Sequence, residues 1–98
     1  MLEIITTVAF DDWLRDLRDR KGRAVILMRL RRLAGGNPGD AKPVGDGIGE
    51  MRIDFGPGYR VYFLRRSQIV IIVLAGGDKS TQPKDIAAAK IAAADWKD

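Results

Sequence analysis

Cysteine and histidine are both absent from this sequence of 98 residues. Without cysteine there is no disulfide scaffold, no thiolate metal ligand and no thiol nucleophile. Without histidine the commonest metal ligand and the commonest general base are missing as well. A zinc site and a histidine-based nuclease are therefore excluded on residue types, and no metal or cofactor is expected. Long apolar runs are also scarce. The longest, Ile69 to Ala75, falls far short of the about 20 residues that cross a bilayer. The N-terminus has no basic stretch ahead of an apolar one, and Glu3, Asp11 and Asp12 interrupt it, unlike a secretory leader. A cytoplasmic location with no membrane association is the expectation.

What is present is an ordered composition, 46% hydrophobic and 31% charged, with length for one modest core and one domain over residues 1–98. The net charge is +4, a weak pointer to nucleic acid by itself. Its distribution says more. Between Arg15 and Arg32 eight basic residues stand against Asp16 and Asp19, a local +6 that leaves −2 for the rest of the chain.

Residues 2–6 read as a short β-branched strand. Phe10, Trp13, Leu14 and Leu17 follow at helical spacing, with Asp11 and Asp12 in the first turn. Lys21-Gly22 is expected to break that helix. Ile26, Leu30 and Leu33 give a second apolar stripe, closed by the breaker cluster Gly35 to Asp40. Ile69 to Ala75 has no alternation, as suits a strand buried on both sides. Pro83 in a first turn, capped by Ser80, Thr81 or Gln82, opens an alanine-rich helix running to about Trp96. The order β-α-α-β-β-β-α predicts an α+β domain: a small antiparallel sheet packed against a two-helix hairpin and a C-terminal helix.

The segment 47–64 predicts a hairpin. With a three-residue turn Gly56-Pro57-Gly58, Phe55 faces Tyr59, Ile53 faces Val61 and Met51 faces Phe63, giving one apolar face. The other carries Glu50, Arg52 and Asp54 against Leu64, Tyr62 and Arg60. A slip of one residue would mix the faces. Arg52, Asp54, Arg60 and Tyr62 are thus expected on the face turned away from the helix pair.

Three groups of residues suit anion chemistry. Asp78-Lys79-Ser80-Thr81 lies between the apolar strand and a helix start, where free N–H groups and the dipole favour an anion; the same residues also suit an ordinary capped helix. Arg52 and Arg60 suit bidentate grip on a phosphate, or a cross-strand pair of Asp54 with Arg60 beside an exposed Arg52. The basic helices suit phosphate contacts or an acidic partner, and equally a solvated face. Gly45-Asp46-Gly47-Ile48-Gly49-Glu50 leads into a strand instead of a helix, so it fails the context of a nucleotide-binding loop.

These pieces also form a pattern in order: Trp13-Leu14 with Leu17-Arg18-Asp19; Arg29-Leu30-Arg31-Arg32-Leu33; Gly36-Asn37-Pro38-Gly39-Asp40; Lys42-Pro43-Val44-Gly45; Glu50-Met51-Arg52-Ile53; Gly56-Pro57-Gly58-Tyr59-Arg60-Val61-Tyr62-Phe63; and Gly76-Gly77-Asp78-Lys79-Ser80-Thr81-Gln82. Together they resemble the addiction-module killer proteins, a HigB-like branch of the RelE/ParE toxin superfamily, over nearly the whole chain. The resemblance implies a RelE-like fold and the toxin of a type II toxin–antitoxin pair, an endoribonuclease cutting mRNA on the ribosome. It implies catalytic roles for Arg52, Arg60 and Lys79, with Asp78 as the proton carrier. It places RNA contacts at Lys42, Tyr62, Thr81, Gln82, Arg29 and Arg32. The implied partners are a helix-turn-helix antitoxin and ribosome-bound mRNA. The chain departs from the pattern in lacking histidine and a tyrosine near its end. A ParE-like inhibitor of DNA gyrase, or a degenerate toxin that only binds its antitoxin, stands as the alternative.

Overall fold

The computed structural model describes residues 1–96. The chain runs β1 (Glu3–Thr6), α1 (Val8–Arg15), α2 (Arg20–Ala34), β2 (Ala41–Pro43), β3 (Ile48–Ile53), β4 (Tyr59–Arg65), β5 (Val70–Asp78), a 3₁₀ turn (Lys79–Thr81) and α3 (Gln82–Asp95). The strands form one sheet in the order β1-β5-β4-β3-β2. This is the expected α+β architecture with two differences. Strand β1 pairs parallel to β5, so the sheet is mixed, and the three-residue β2 extends the edge beside β3. Among the described residues no helix is long and apolar enough to cross a membrane.

Local chemistry sets the helix limits. The Thr7 hydroxyl accepts from the Phe10 N–H at 3.1 Å and starts α1. The Asp19 carboxylate accepts from the Gly22 N–H at 2.9 Å and starts α2. The break between the helices therefore falls at residues 16–19, and Lys21-Gly22 lies inside the first turn of α2 instead of ending α1. The cap at Asp19 outweighs glycine's weak helix propensity here.

The helices cover opposite faces of the sheet. Helices α1 and α2 bury Phe10, Ile26, Leu30 and Leu33 against Met51, Ile53, Tyr59, Val61, Ile71 and Val73. Helix α3 lies on the other side, with Ala89, Ile86 and Trp96 over Ile48, Tyr62, Ile72 and Leu74. Strand β5, packed on both faces, has no alternation, as expected. It runs on through Gly76-Gly77 to Asp78. Those glycines face opposite layers: a Cβ at Gly76 would lie 2.3 Å from the Trp13 ring of α1, and one at Gly77 would lie 1.8 Å from Asp85 Oδ2 of α3. Both layers close on the sheet only because these side chains are missing.

The hairpin keeps the expected faces but shifts its partners by two residues. Ile53 faces Tyr59, Met51 faces Val61, Arg52 faces Arg60 and Glu50 faces Tyr62. The turn takes residues 54–58, with Gly56 and Gly58 at positive φ of 56° and 82°. A side-chain period of two means that a two-residue shift leaves every face intact.

Candidate anion-binding groove

The hairpin end of the α3-side face holds an open groove of about 610 Å³ lined by Asp40, Arg52, Asp54, Gly56, Pro57, Gly58, Arg60 and Lys79. The row Asp40, Arg52 and Arg60 crosses its floor on three chain segments. Arg52 and Arg60 are directly opposed, a placement that repels unless something negative compensates. Asp40 does so in part, its Oδ1 accepting from Arg52 Nη2 at 3.0 Å while both side chains stay partly exposed. Among the described residues Arg60 donates only to the backbone carbonyls of Gly58 and Tyr59, at 3.4 and 3.2 Å.

The Nε–H groups of Arg52 and Arg60 are buried and have no acceptor among the described residues. A buried donor left unpaired costs about 1–3 kcal/mol, but the Arg23 Nε–H has the same status outside the groove; what suits this groove to an oxyanion is the pair of opposed guanidiniums on a cationic floor. Lys79 stands at the rim: a Cβ on Gly58 would lie 3.5 Å from Lys79 Cβ and 3.6 Å from Arg60 Nη1. Three cations and two carboxylates, Asp40 and Asp54, thus line the groove. Asp54 is exposed and pairs with no described residue, and no Asp54–Arg60 ion pair forms. Among the described residues no cluster of acidic side chains could hold a metal ion.

The other sequence candidates lie elsewhere. Asp78 caps the 3₁₀ turn, its Oδ1 accepting from the Ser80 N–H at 2.8 Å and from the Ser80 hydroxyl, so its carboxylate is engaged outside the groove lining. Thr81 donates its hydroxyl to Asp85. Tyr62 is fully buried and is no surface contact for RNA; its hydroxyl donates to Glu50 Oε2 at 3.0 Å. Burial, then that hydrogen bond, push the Tyr62 phenol well above its ordinary range. Gln82 also turns inward, Nε2 donating to the same oxygen at 2.8 Å. Arg29 spans the carbonyls of Arg52, Pro38 and Asp40 at 2.8, 3.0 and 3.3 Å, so it braces the groove from behind. Arg32 is exposed on α2, its Nη2 3.6 Å from Met28 Sδ. Lys42 is exposed on edge strand β2, opposite Glu50 and beside a shallow apolar groove of about 310 Å³.

The turn that walls the groove is anchored to α2. Tyr59 donates its hydroxyl to Asp19 Oδ2 at 2.8 Å and meets Trp13 edge-on with centroids 6.1 Å apart. Burial first, then the Asp19 contact, raise the Tyr59 phenol to about 12. Asp19 is lowered by the Gly22 N–H and then by Tyr59. Sequence reasoning missed Asp40 and Glu50 as site residues. Asp40 sits at the end of a breaker cluster and gives no signal, whereas Glu50 in a strand of apolar neighbours is a visible anomaly.

A family model for phage-derived Gp49-like proteins (DUF891) matches residues 12–97. An uncharacterized protein of Haemophilus influenzae is 51% identical over 92 residues, which cover 94% of this chain and 93% of that protein. With its groove and its α+β fold, the chain belongs to the Gp49-like family, a family associated with toxin–antitoxin modules.

Proposed function

We propose that the protein is the toxin of a type II toxin–antitoxin pair and that its groove cleaves mRNA held on the ribosome. The observation that carries this reading is the opposed pair Arg52 and Arg60 in one groove with Lys79. A scissile phosphate seated there accepts from the two guanidiniums. Guanidinium donors aimed at developing charge favour the phosphorane-like transition state over the ground state.

The 2′-oxygen attacks the adjacent phosphorus, the P–O5′ bond breaks, and a 2′,3′-cyclic phosphate and a 5′-hydroxyl result. Asp54 takes the 2′-hydroxyl proton, because it is the groove carboxylate without a partner while Asp78 is held by Ser80. Lys79 at the rim supplies a proton to the leaving 5′-oxygen. Positioning by the ribosome supplies the alignment that a groove this open does not, and alignment is worth several kcal/mol.

An antitoxin with an acidic amphipathic segment suits the outer face of α2, where Leu27 and Met28 are about half exposed beside Arg31 and Arg32. The cleavage reading is tested by adding purified protein to translating ribosomes and mapping mRNA ends. Cleavage leaving 2′,3′-cyclic phosphates is expected, with Arg60→Ala slowed by roughly 10²–10³-fold. Intact mRNA together with DNA breaks on induction would replace it with gyrase inhibition.

A further inference from the structure

Glu50 is a buried carboxylate that the cleavage reading does not use. It is 0% exposed, sits on β3 two residues before Arg52, and faces Tyr62 of β4, itself two residues after Arg60. The Glu50–Tyr62 row therefore lies directly behind the arginine row that floors the groove. Oε2 accepts from Tyr62 and from Gln82, whereas Oε1 is buried with no partner among the described residues.

That arrangement is poor for stability alone. A buried carboxylate oxygen without a donor is costly, and an apolar residue of similar volume is commonly as stable or more so. Its geometric effect is specific, however. Gln82 is the first residue of α3 and directly follows the 3₁₀ turn Lys79–Thr81. The side-chain hydrogen bonds of Asp78, Ser80, Thr81 and Asp85 stay among these four residues, from the end of β5 into the first turn of α3. Among the described residues, the Gln82 amide alone carries a side-chain hydrogen bond from this segment to a neighbouring strand.

We propose that Glu50 is a positioning residue: through Gln82 it holds the Lys79 turn against the sheet and so fixes the third cation of the groove over Arg52 and Arg60. This rests on the groove being the RNA phosphate site. Neither Glu50 nor Gln82 touches the ligand, and their effect on RNA passes entirely through Lys79.

The test is a double-mutant cycle on binding of a short single-stranded RNA by the full chain over a salt series. Lys79→Ala is expected to weaken binding by roughly 5- to 10-fold and to flatten the salt slope by about 0.7, the loss of one phosphate contact on a single strand. Glu50→Ala alone should give nearly the same loss and the same flattening, though its residues meet no RNA. Added to Lys79→Ala it should cost nothing further. Glu50→Gln should bind as wild type, since its amide oxygen can accept from both Tyr62 and Gln82. If Glu50→Ala misfolds, Gln82→Ala at the helix start closes the same cycle. Additive losses, or a Glu50→Gln variant as weak as Glu50→Ala, overturn the proposal. Unchanged binding by both Lys79→Ala and Arg60→Ala overturns the phosphate-site reading and the clamp with it, whereas additivity with both of those variants weakened overturns the clamp alone.

Discussion

The two faces of the sheet are built to different ends. Against α1 and α2, Met51, Ile53, Tyr59, Val61, Ile71 and Val73 form a continuous apolar layer. Against α3 the apolar layer stops at Tyr62 and Leu74, and the hairpin end carries opposed arginines instead. Helix α3, 14 residues long, packs Ile86, Ala89, Ala92 and Ala93 on that layer, while its first turn meets the sheet through Gln82 and Asp85. One face thus carries the fold. The other carries a cationic row that Asp40 neutralises only in part. Such a division lets a small chain hold a charged site on a stable scaffold.

The comparison breaks most severely if the helix-pair face is not the stabilising one. Ile26, fully buried there, should cost about 2–5 kcal/mol on change to Ala, read by chemical denaturation. The adjacent glycines of β5 sharpen the contrast further. Gly76→Ala drives a methyl into the Trp13 ring and should cost about 1–3 kcal/mol. Gly77→Ala meets the movable end of Asp85 and the Thr81 hydroxyl; it should cost less stability yet shift the Lys79 turn, seen as weaker RNA binding. Equal losses from the two glycines would erase the distinction between the faces.

A smaller effect is expected at the anchor between turn and helix. Tyr59→Phe removes the hydrogen bond to Asp19 and should cost about 1 kcal/mol. Its pH dependence has a definite sign. The Tyr59 phenol is raised to about 12 in the fold against about 10 in an unfolded chain. The contribution is therefore complete below pH 10 and lost as pH rises from 10 to 12. The lowered Asp19 acts at the other end, its contribution present above the unfolded carboxylate range and lost as pH falls through its folded value. Tyr59→Phe should flatten the alkaline decline, and an unchanged profile would remove Tyr59 as its source.

Much of this was legible in the sequence because side-chain period is robust. The apolar run in β5, the stripe Ile26, Leu30 and Leu33, and the split of hairpin residues between faces all follow from spacing alone. The turn length did not, because Gly56, Pro57 and Gly58 suit both a three-residue and a five-residue connection, and the two registers keep the same faces. That ambiguity hid the opposition of Arg52 to Arg60, which is the defining feature of the groove. Tyr62 and Gln82 read as surface polar groups because nothing local says where α3 will land; only its placement over β4 buries them around Glu50. Strand β2 was illegible for another reason: three residues containing a proline carry no periodicity. The family assignment adds the toxin–antitoxin association, while the groove chemistry comes from this chain's own residues.

On the proposed function, Arg52 and Arg60 are opposed for phosphate and not for stability. Changing both to Gln, Arg52→Gln with Arg60→Gln, and measuring thermal stability beside RNA affinity across a salt series tests it directly. A melting temperature equal to or above wild type is expected, because a repulsive pair is removed. Also expected are a large loss of affinity and a salt slope shallower by about 1.4, two phosphate contacts on a single strand. A less stable protein that binds RNA as wild type, with an unchanged slope, would contradict it.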